Sequence, residues 1–172
     1  MAATTSIPIP LSSLKRALND ITNGTSETTF SPDVSCTRAQ IVTFLWRATG
    51  RPEPTIMKNP FLDVDEGMYY TKAVYWASEN GITLGTDATH FSPDITVSRG
   101  QGVTFLYRFA GERTDTDNPF KDISEDAYYF DAVQWAVAND VTTGKTAELF
   151  APGDDCTRAQ IITFLYRALG RK

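Results

Sequence analysis

The chain has 172 residues, 41% of them apolar, enough for one compact domain or a tight array of small units. Its formal net charge is −5 and its 16 Lys and Arg form no long basic run, which argues against nucleic acid or an anionic membrane surface as partner. No apolar stretch reaches the roughly 18–20 residues of a membrane span. Residues 1–10 have neither the basic start nor the apolar centre of a secretory signal.

In chain order the predicted elements fall into three units. The first, residues 1–52, opens with a helix over residues 11–18 whose apolar stripe is Leu14, Ala17, Leu18 and Ile21. A loop through Gly24 leads to Thr37 and Gln40, a capping box in which the hydroxyl accepts from an orphan helix N–H while the glutamine reaches back to the cap. Ile41, Phe44, Leu45 and Ala48 then form the buried stripe of a second helix that stops at Gly50. The second unit, residues 53–112, carries Phe-x-Asp-Val at 61–64 and a Tyr-Tyr pair ahead of its first helix. There Tyr70, Ala73, Val74 and Ala77 share one face, and Asn80-Gly81 is the stop signal. Its second helix begins at the box Ser98 and Gln101 and ends before Gly111. The third unit, residues 113–172, repeats the scheme with Tyr129, Ala132, Val133 and Ala136, then Thr157 and Gln160, then Gly170. Residues 50–54 and 111–119 are the linkers.

The units are copies of one pattern. Residues 36–50 and 156–170 match at 12 of 15 positions, and residues 97–111 match the last copy at 8 of 15. Arg38, Arg99 and Arg158 are spaced by 61 and 59, as are Gly24, Gly85 and Gly144. A two-helix unit of this length cannot bury its apolar face alone, so the three must pack on one another in an all-α array of helix-loop-helix repeats. The first copy is divergent. It lacks the Phe-x-Asp-Val segment, and Lys15 stands where the others have Trp76 and Trp135. Its first helix is expected to turn another face inward, either as a degenerate repeat or as a segment foreign to the pattern. Cys36 and Cys156 occupy the place of Val97, which predicts a small, partly buried apolar site; two free thiols or a bridge between the outer repeats both fit.

These motifs resemble the S-layer homology family. The residues that carry the likeness are Thr-Arg-Ala-Gln before an apolar helix, preceded by Phe-x-Asp-Val, Ala-Val-x-Trp-Ala and Phe-x-Pro-Asp, over roughly residues 20–170. The family usually has Glu where every copy here has Gln, and the second copy departs further with Gly100 and Gly102. The resemblance implies a pseudo-threefold spindle with grooves between its prongs. It implies a non-covalent anchor that binds an anionic, pyruvylated secondary cell-wall polysaccharide. It also implies a place at the bacterial cell surface, as part of a longer exported protein, with no cofactor and no metal. Carried onto this chain, the groove residues are Arg38, Arg99 and Arg158, Asp63 and Asp122, Trp76 and Trp135, and Gly24, Gly85 and Gly144.

The residue types suit that ligand. An arginine just after a helix cap offers a planar fork for a carboxylate beside the exposed N–H groups of the helix start. A glycine lets a sugar approach the backbone, a carboxylate accepts from sugar hydroxyls, and an indole face covers a pyranose ring. Each candidate also has a structural reading: arginines pairing with nearby carboxylates, aspartates capping a turn, tryptophans in the core, glycines required by loop geometry. Arg47, Arg108 and Arg167, late in their helices, fit the C-terminal dipole, and Phe44, Phe105 and Phe164 fit the core. An enzyme is not expected, because no nucleophile elbow, zinc spacing or phosphate loop is present and His90 has no partner motif. Asp63-Val-Asp65-Glu-Gly67 lacks the later ligands of a calcium loop. The alternative function is a protein-interaction scaffold on the same fold, with residues 11–18 as the contact for a protein partner.

Overall fold

The computed structural model describes residues 21–56, 58–114 and 116–170. Among these the fold is all-α, with helices α1 (Arg38–Ala48), α2 (Thr71–Glu79), α3 (Arg99–Ala110), α4 (Phe130–Ala138) and α5 (Arg158–Gly170), and three isolated β-bridges. The helix proposed for residues 11–18, and with it the docking role of that segment, lies outside the described residues.

All three capping boxes form. Gln40, Gln101 and Gln160 accept from the backbone N–H of Thr37, Ser98 and Thr157, whose hydroxyls accept in return from the glutamine N–H groups. The glycine stops are less uniform. Gly50 and Gly81 turn left-handed at φ +87° and +68°, whereas Gly111 ends α3 with φ −85° and Gly170 remains within α5.

Helices that pack side by side belong to consecutive repeats: α1 with α2, and α3 with α4. The linkers are therefore the turns of helical hairpins. Trp76, buried in α2, meets Phe109 edge-on, and Trp135 of α4 meets Tyr107 of α3. Between the two helices of a repeat, a loop folds back on the segment ahead of the first helix. The N–H of Leu62 donates to Thr89 and that of Lys121 to Glu148, while Phe61 packs on Phe91 and Phe120 on Phe150.

The second helices α1, α3 and α5 meet at a central axis, and the chain closes a ring around it. The N–H of Cys36 donates to the carbonyl of Cys156 at 2.8 Å, that of Cys156 to Val97 at 2.9 Å, and that of Val97 to Cys36 at 2.8 Å. All three side chains are fully buried beneath this triangle. On its outer side the equivalent trio is Ser35, Thr96 and Asp155, with the aspartate accepting from both hydroxyls. The cysteine site is thus wholly rather than partly buried, and both thiols are free. Burial pushes each up to about 12. Close packing, at the axis for Gly102 and against the third repeat's tyrosine for Gly100, accounts for the glycines of the second copy. A methyl on Gly102 would come within 2.9 Å of the Ile161 side chain, and one on Gly100 within 2.9 Å of the Tyr129 ring.

Candidate functional site

Each arginine after a helix cap reaches into the loop of the next repeat. Arg38 donates from Nε to the Phe91 carbonyl at 2.7 Å and lies between the rings of Phe91 and Phe105, 4.9 and 5.3 Å from their centroids. Arg99 does the same with Phe150 and Phe164, and Arg158 with Phe30 and Phe44. The order is cyclic: repeat one into two, two into three, three into one. A guanidinium is weakly hydrated and flat, so two aromatic faces hold it while its edge keeps hydrogen-bonding capacity. The arginines are only 5%, 5% and 2% exposed. Arg158 uses Nη2 to reach Thr22 Oγ1, but the buried Nη2 of Arg38 and of Arg99 has no hydrogen-bond partner. Burial, and then neighbouring Arg108, make the Arg38 proton easier to lose than usual, against the pull of Asp63.

Among the described residues, two equivalent cavities open onto Arg38 and Arg158. One, of about 420 Å³, is walled by Arg38, Gly85, Thr104, Arg108 and Tyr128. The other, of about 320 Å³, is walled by Arg158, Gly24, Thr43, Arg47 and Tyr69. Each takes its arginine from one repeat, its glycine loop and second helix from the next, and its tyrosine from the one after. Burial and adjacent Tyr129 raise the Tyr128 phenol, while Arg108 and Arg38 pull it back, so two cations face this cavity. The groove at Arg99 is built differently. Lys145 replaces the threonine found at 25 and 86, and it is paired with Asp154. No tyrosine precedes Tyr69 in the chain, so the sequence has no third counterpart of Tyr69 and Tyr128. Thr163 is exposed where Thr43 and Thr104 are buried.

The structure separates the sequence candidates. Gly24, Gly85 and Gly144 have φ of +77°, +84° and +84°. A methyl on Gly85 would fall 2.5 Å from the carbonyls of Asp87 and His90. Loop geometry thus demands the glycines, and Gly24 and Gly85 also line the cavities. Asp63 accepts from the N–H groups of Phe91 and Ser92 at 2.8 and 2.7 Å, and Asp122 from those of Phe150 and Ala151 at 2.9 and 2.7 Å. These carboxylates hold the loop whose Phe carbonyl receives the arginine, and whose next residue is left-handed at φ +58°. Trp76 and Trp135 are 3% and 4% exposed and lie between helices, away from both cavity walls.

One physical argument from the sequence is corrected. The helix starts do not present free N–H groups to an anion. The first two N–H groups of α1 donate to Ile95 and Pro93, those of α3 to Asp154 and Pro152, and those of α5 to Val34 and Pro32. The third in each donates to the cap hydroxyl. The next repeat's loop therefore occupies the place that a ligand would need at each helix start.

Sequence reasoning missed Tyr69, Tyr128, Thr43 and Thr104 as wall residues. The Tyr-Tyr pairs were visible, but the wall they form lies two repeats away from the arginine. Arg47 and Arg108, assigned to helix ends, line the cavities as well; Arg47 and Arg167 reach the carbonyls of Ile21 and Val141.

A family model described as the S-layer homology domain matches residues 60–101 and 119–162, together half of the chain. The chain is 38% identical over 113 residues to an endoglucanase of Bacillus sp. (strain KSM-635), covering 63% of this chain and 12% of that protein. It is 31% identical over 100 residues to the surface-layer 125 kDa protein of Lysinibacillus sphaericus, covering 58% and 8%. It is 25% identical over 151 residues to the cellulosome-anchoring protein of Acetivibrio thermocellus, covering 83% and 34%. The chain thus spans between 8% and 34% of the length of these relatives. With that family model matching half of its length, over the second and third repeats, the chain belongs to the S-layer homology domain family.

Proposed function

We propose that the chain is a non-catalytic anchoring module that holds a bacterial surface protein on an anionic cell-wall polysaccharide, through the grooves at Arg38 and Arg158. The observation that carries this reading is the matching pair of cavities, about 420 and 320 Å³, each walled by a buried arginine, a second arginine, a threonine and a tyrosine drawn from all three repeats. A carboxylate entering either cavity meets two guanidinium groups, Arg38 and Arg108 in one and Arg158 and Arg47 in the other, and planar guanidinium groups suit a carboxylate. A ketal-linked pyruvate presents such a carboxylate on a sugar. Tyr128, Thr104 and the backbone beside Gly85 supply hydroxyls and close approach for the ring that bears it. The names of the surface-layer and cellulosome-anchoring relatives agree with a surface role.

On this reading Asp63, Asp122, Trp76 and Trp135 act by holding loops and helices in place. The Arg99 groove, with Lys145 in place of the threonine and no third counterpart of Tyr69 and Tyr128 in the sequence, is the weak member of the set. Two sites on one polymer raise the effective concentration of the second contact, so modest affinities combine into stable attachment.

Calorimetric titration with a short pyruvylated wall-glycan fragment tests this. Wild type should bind near two fragments, and Arg38→Ala or Arg158→Ala should each remove one site while Arg99→Ala changes little. On whole polymer, the Arg38→Ala/Arg158→Ala double variant should lose far more than either single variant. A folded wild type that gives no heat with several wall glycans would turn the assignment to a protein-binding scaffold.

A further inference from the structure

The loop that walls the Arg158 cavity contains an asparagine–glycine pair, Asn23-Gly24, where the equivalent loops have Leu84-Gly85 and Thr143-Gly144. The turn fixes the glycine but leaves the residue before it free to vary, and in this copy alone that residue carries an amide. We infer that Asn23 is a site of spontaneous deamidation, and that the product disables the Arg158 groove by placing a carboxylate in its wall. The consequence for binding rests on the function proposed above; the chemistry does not.

The backbone nitrogen of Gly24 attacks Cγ of Asn23 and ammonia leaves, closing a five-membered succinimide. Water then opens the ring at either carbonyl, giving aspartate or its backbone-rearranged isomer, isoaspartate. In sum, amide and water become carboxylic acid and ammonia, with no oxidant or cofactor. Glycine favours the attack because no Cβ crowds its nitrogen.

The local structure permits the reaction here. Asn23 is exposed, residues 25–29 after it are exposed, and its side chain has no hydrogen-bond partner among the described residues. The attacking N–H is held only by Thr22 Oγ1, at 3.1 Å. The chain contains an internal comparison in Asn80-Gly81. That amide donates to the Trp76 carbonyl at 2.8 Å and the Gly81 N–H to Ser78 at 3.1 Å, both within the last turn of α2. Attack there requires the helix end to open.

At position 23 the new carboxylate lines the cavity shared by Arg158 and Arg47. It supplies from within the negative charge that the cavity otherwise takes from a ligand, and it repels an incoming carboxylate. The isoaspartyl form also lengthens the backbone by a methylene, next to the Thr25 N–H bond to Thr29 at 2.7 Å. The Arg38 groove, with Leu84 at this place, is untouched. The anchor would thus age from two working grooves to one.

The full chain is held at mildly alkaline pH and sampled by peptide mass spectrometry, which reads replacement of the amide as a gain of about 1 Da. Conversion at Asn23 should run several-fold faster than at Asn80; equal or slower conversion at Asn23 overturns the chemistry. The same samples are titrated with a short pyruvylated wall-glycan fragment. Stoichiometry should fall from near two toward one in step with conversion, freshly prepared Asn23→Asp should show the same loss, and aged Asn23→Ala should match its own fresh sample. Undiminished stoichiometry in fully converted protein, or in Asn23→Asp, overturns the switch. If fresh wild type ignores the fragment, the groove's role falls and the switch with it, while the mass measurement still judges the deamidation.

Discussion

Gly85 and Gly50 both have positive φ, +84° and +87°, yet the surroundings give them different importance. A methyl at Gly50 meets nothing within 4 Å, so Gly50→Ala should cost only the left-handed penalty of about 1–2 kcal/mol. At Gly85 the same methyl strikes two carbonyls and the Phe61 ring. Gly85→Ala should therefore lose clearly more stability than Gly50→Ala in denaturant titration, and should also distort the Arg38 cavity. The arginines follow the same logic. What counts is the partner each has in space: two rings, one carbonyl and, for Arg38 and Arg99, a buried terminal nitrogen with no hydrogen-bond partner.

At the scale of the element, the capping boxes were fully readable because they are local. A hydroxyl and a glutamine three residues apart serve the same helix turn in any tertiary setting. Asp122 is the opposite case. Its carboxylate accepts two N–H groups 28 and 29 residues away and so ties the segment before α4 to the loop after it. Asp122→Asn leaves one of those N–H groups facing an amide donor. The expected loss is about 1–3 kcal/mol, the usual cost of an unsatisfied buried donor, read from urea unfolding. The hold on Arg99 should loosen with it, because Phe150, whose carbonyl receives Arg99, belongs to the same loop, while binding at the Arg38 and Arg158 grooves should stay near wild type.

At the scale of the whole molecule, each repeat completes the next. Loop carbonyls of one repeat satisfy the helix start of its neighbour, and the Cys36, Val97 and Cys156 triangle closes the cycle. Urea unfolding followed by tryptophan fluorescence and by far-ultraviolet circular dichroism should therefore give coincident single transitions. The buried thiols add a pH dependence. Their ordinary value is 9.0 and burial raises them to about 12. Below pH 9 both states keep the protons and the stability contribution is fully present. Between 9 and 12 the unfolded chain releases protons that the folded chain retains, so stability falls as pH rises. Melting temperatures across this window should decline in wild type and less so in Cys36→Val/Cys156→Val, which gives the outer repeats the side chain that the middle one has at Val97. Neither thiol should react with a disulfide reagent until the protein unfolds.

The sequence by itself determined the repeats, their period, the helix starts at the caps, the all-α class and the recurring places of the arginine, the glycine and, in two copies, the aspartate. Those features are periodic or local, and an amphipathic stripe or capping box needs only its own few residues to be recognised. The tertiary structure alone decided that the helix starts are closed to anions by a neighbour's carbonyls, and that Asp63 and Asp122 hold loops rather than face the cavities. It also set Trp76 and Trp135 between helices and brought Tyr69 and Tyr128 to the grooves. Each of these depends on which repeat docks on which, and a threefold ring brings together residues from all three copies whose separation along the chain carries no sign of their contact.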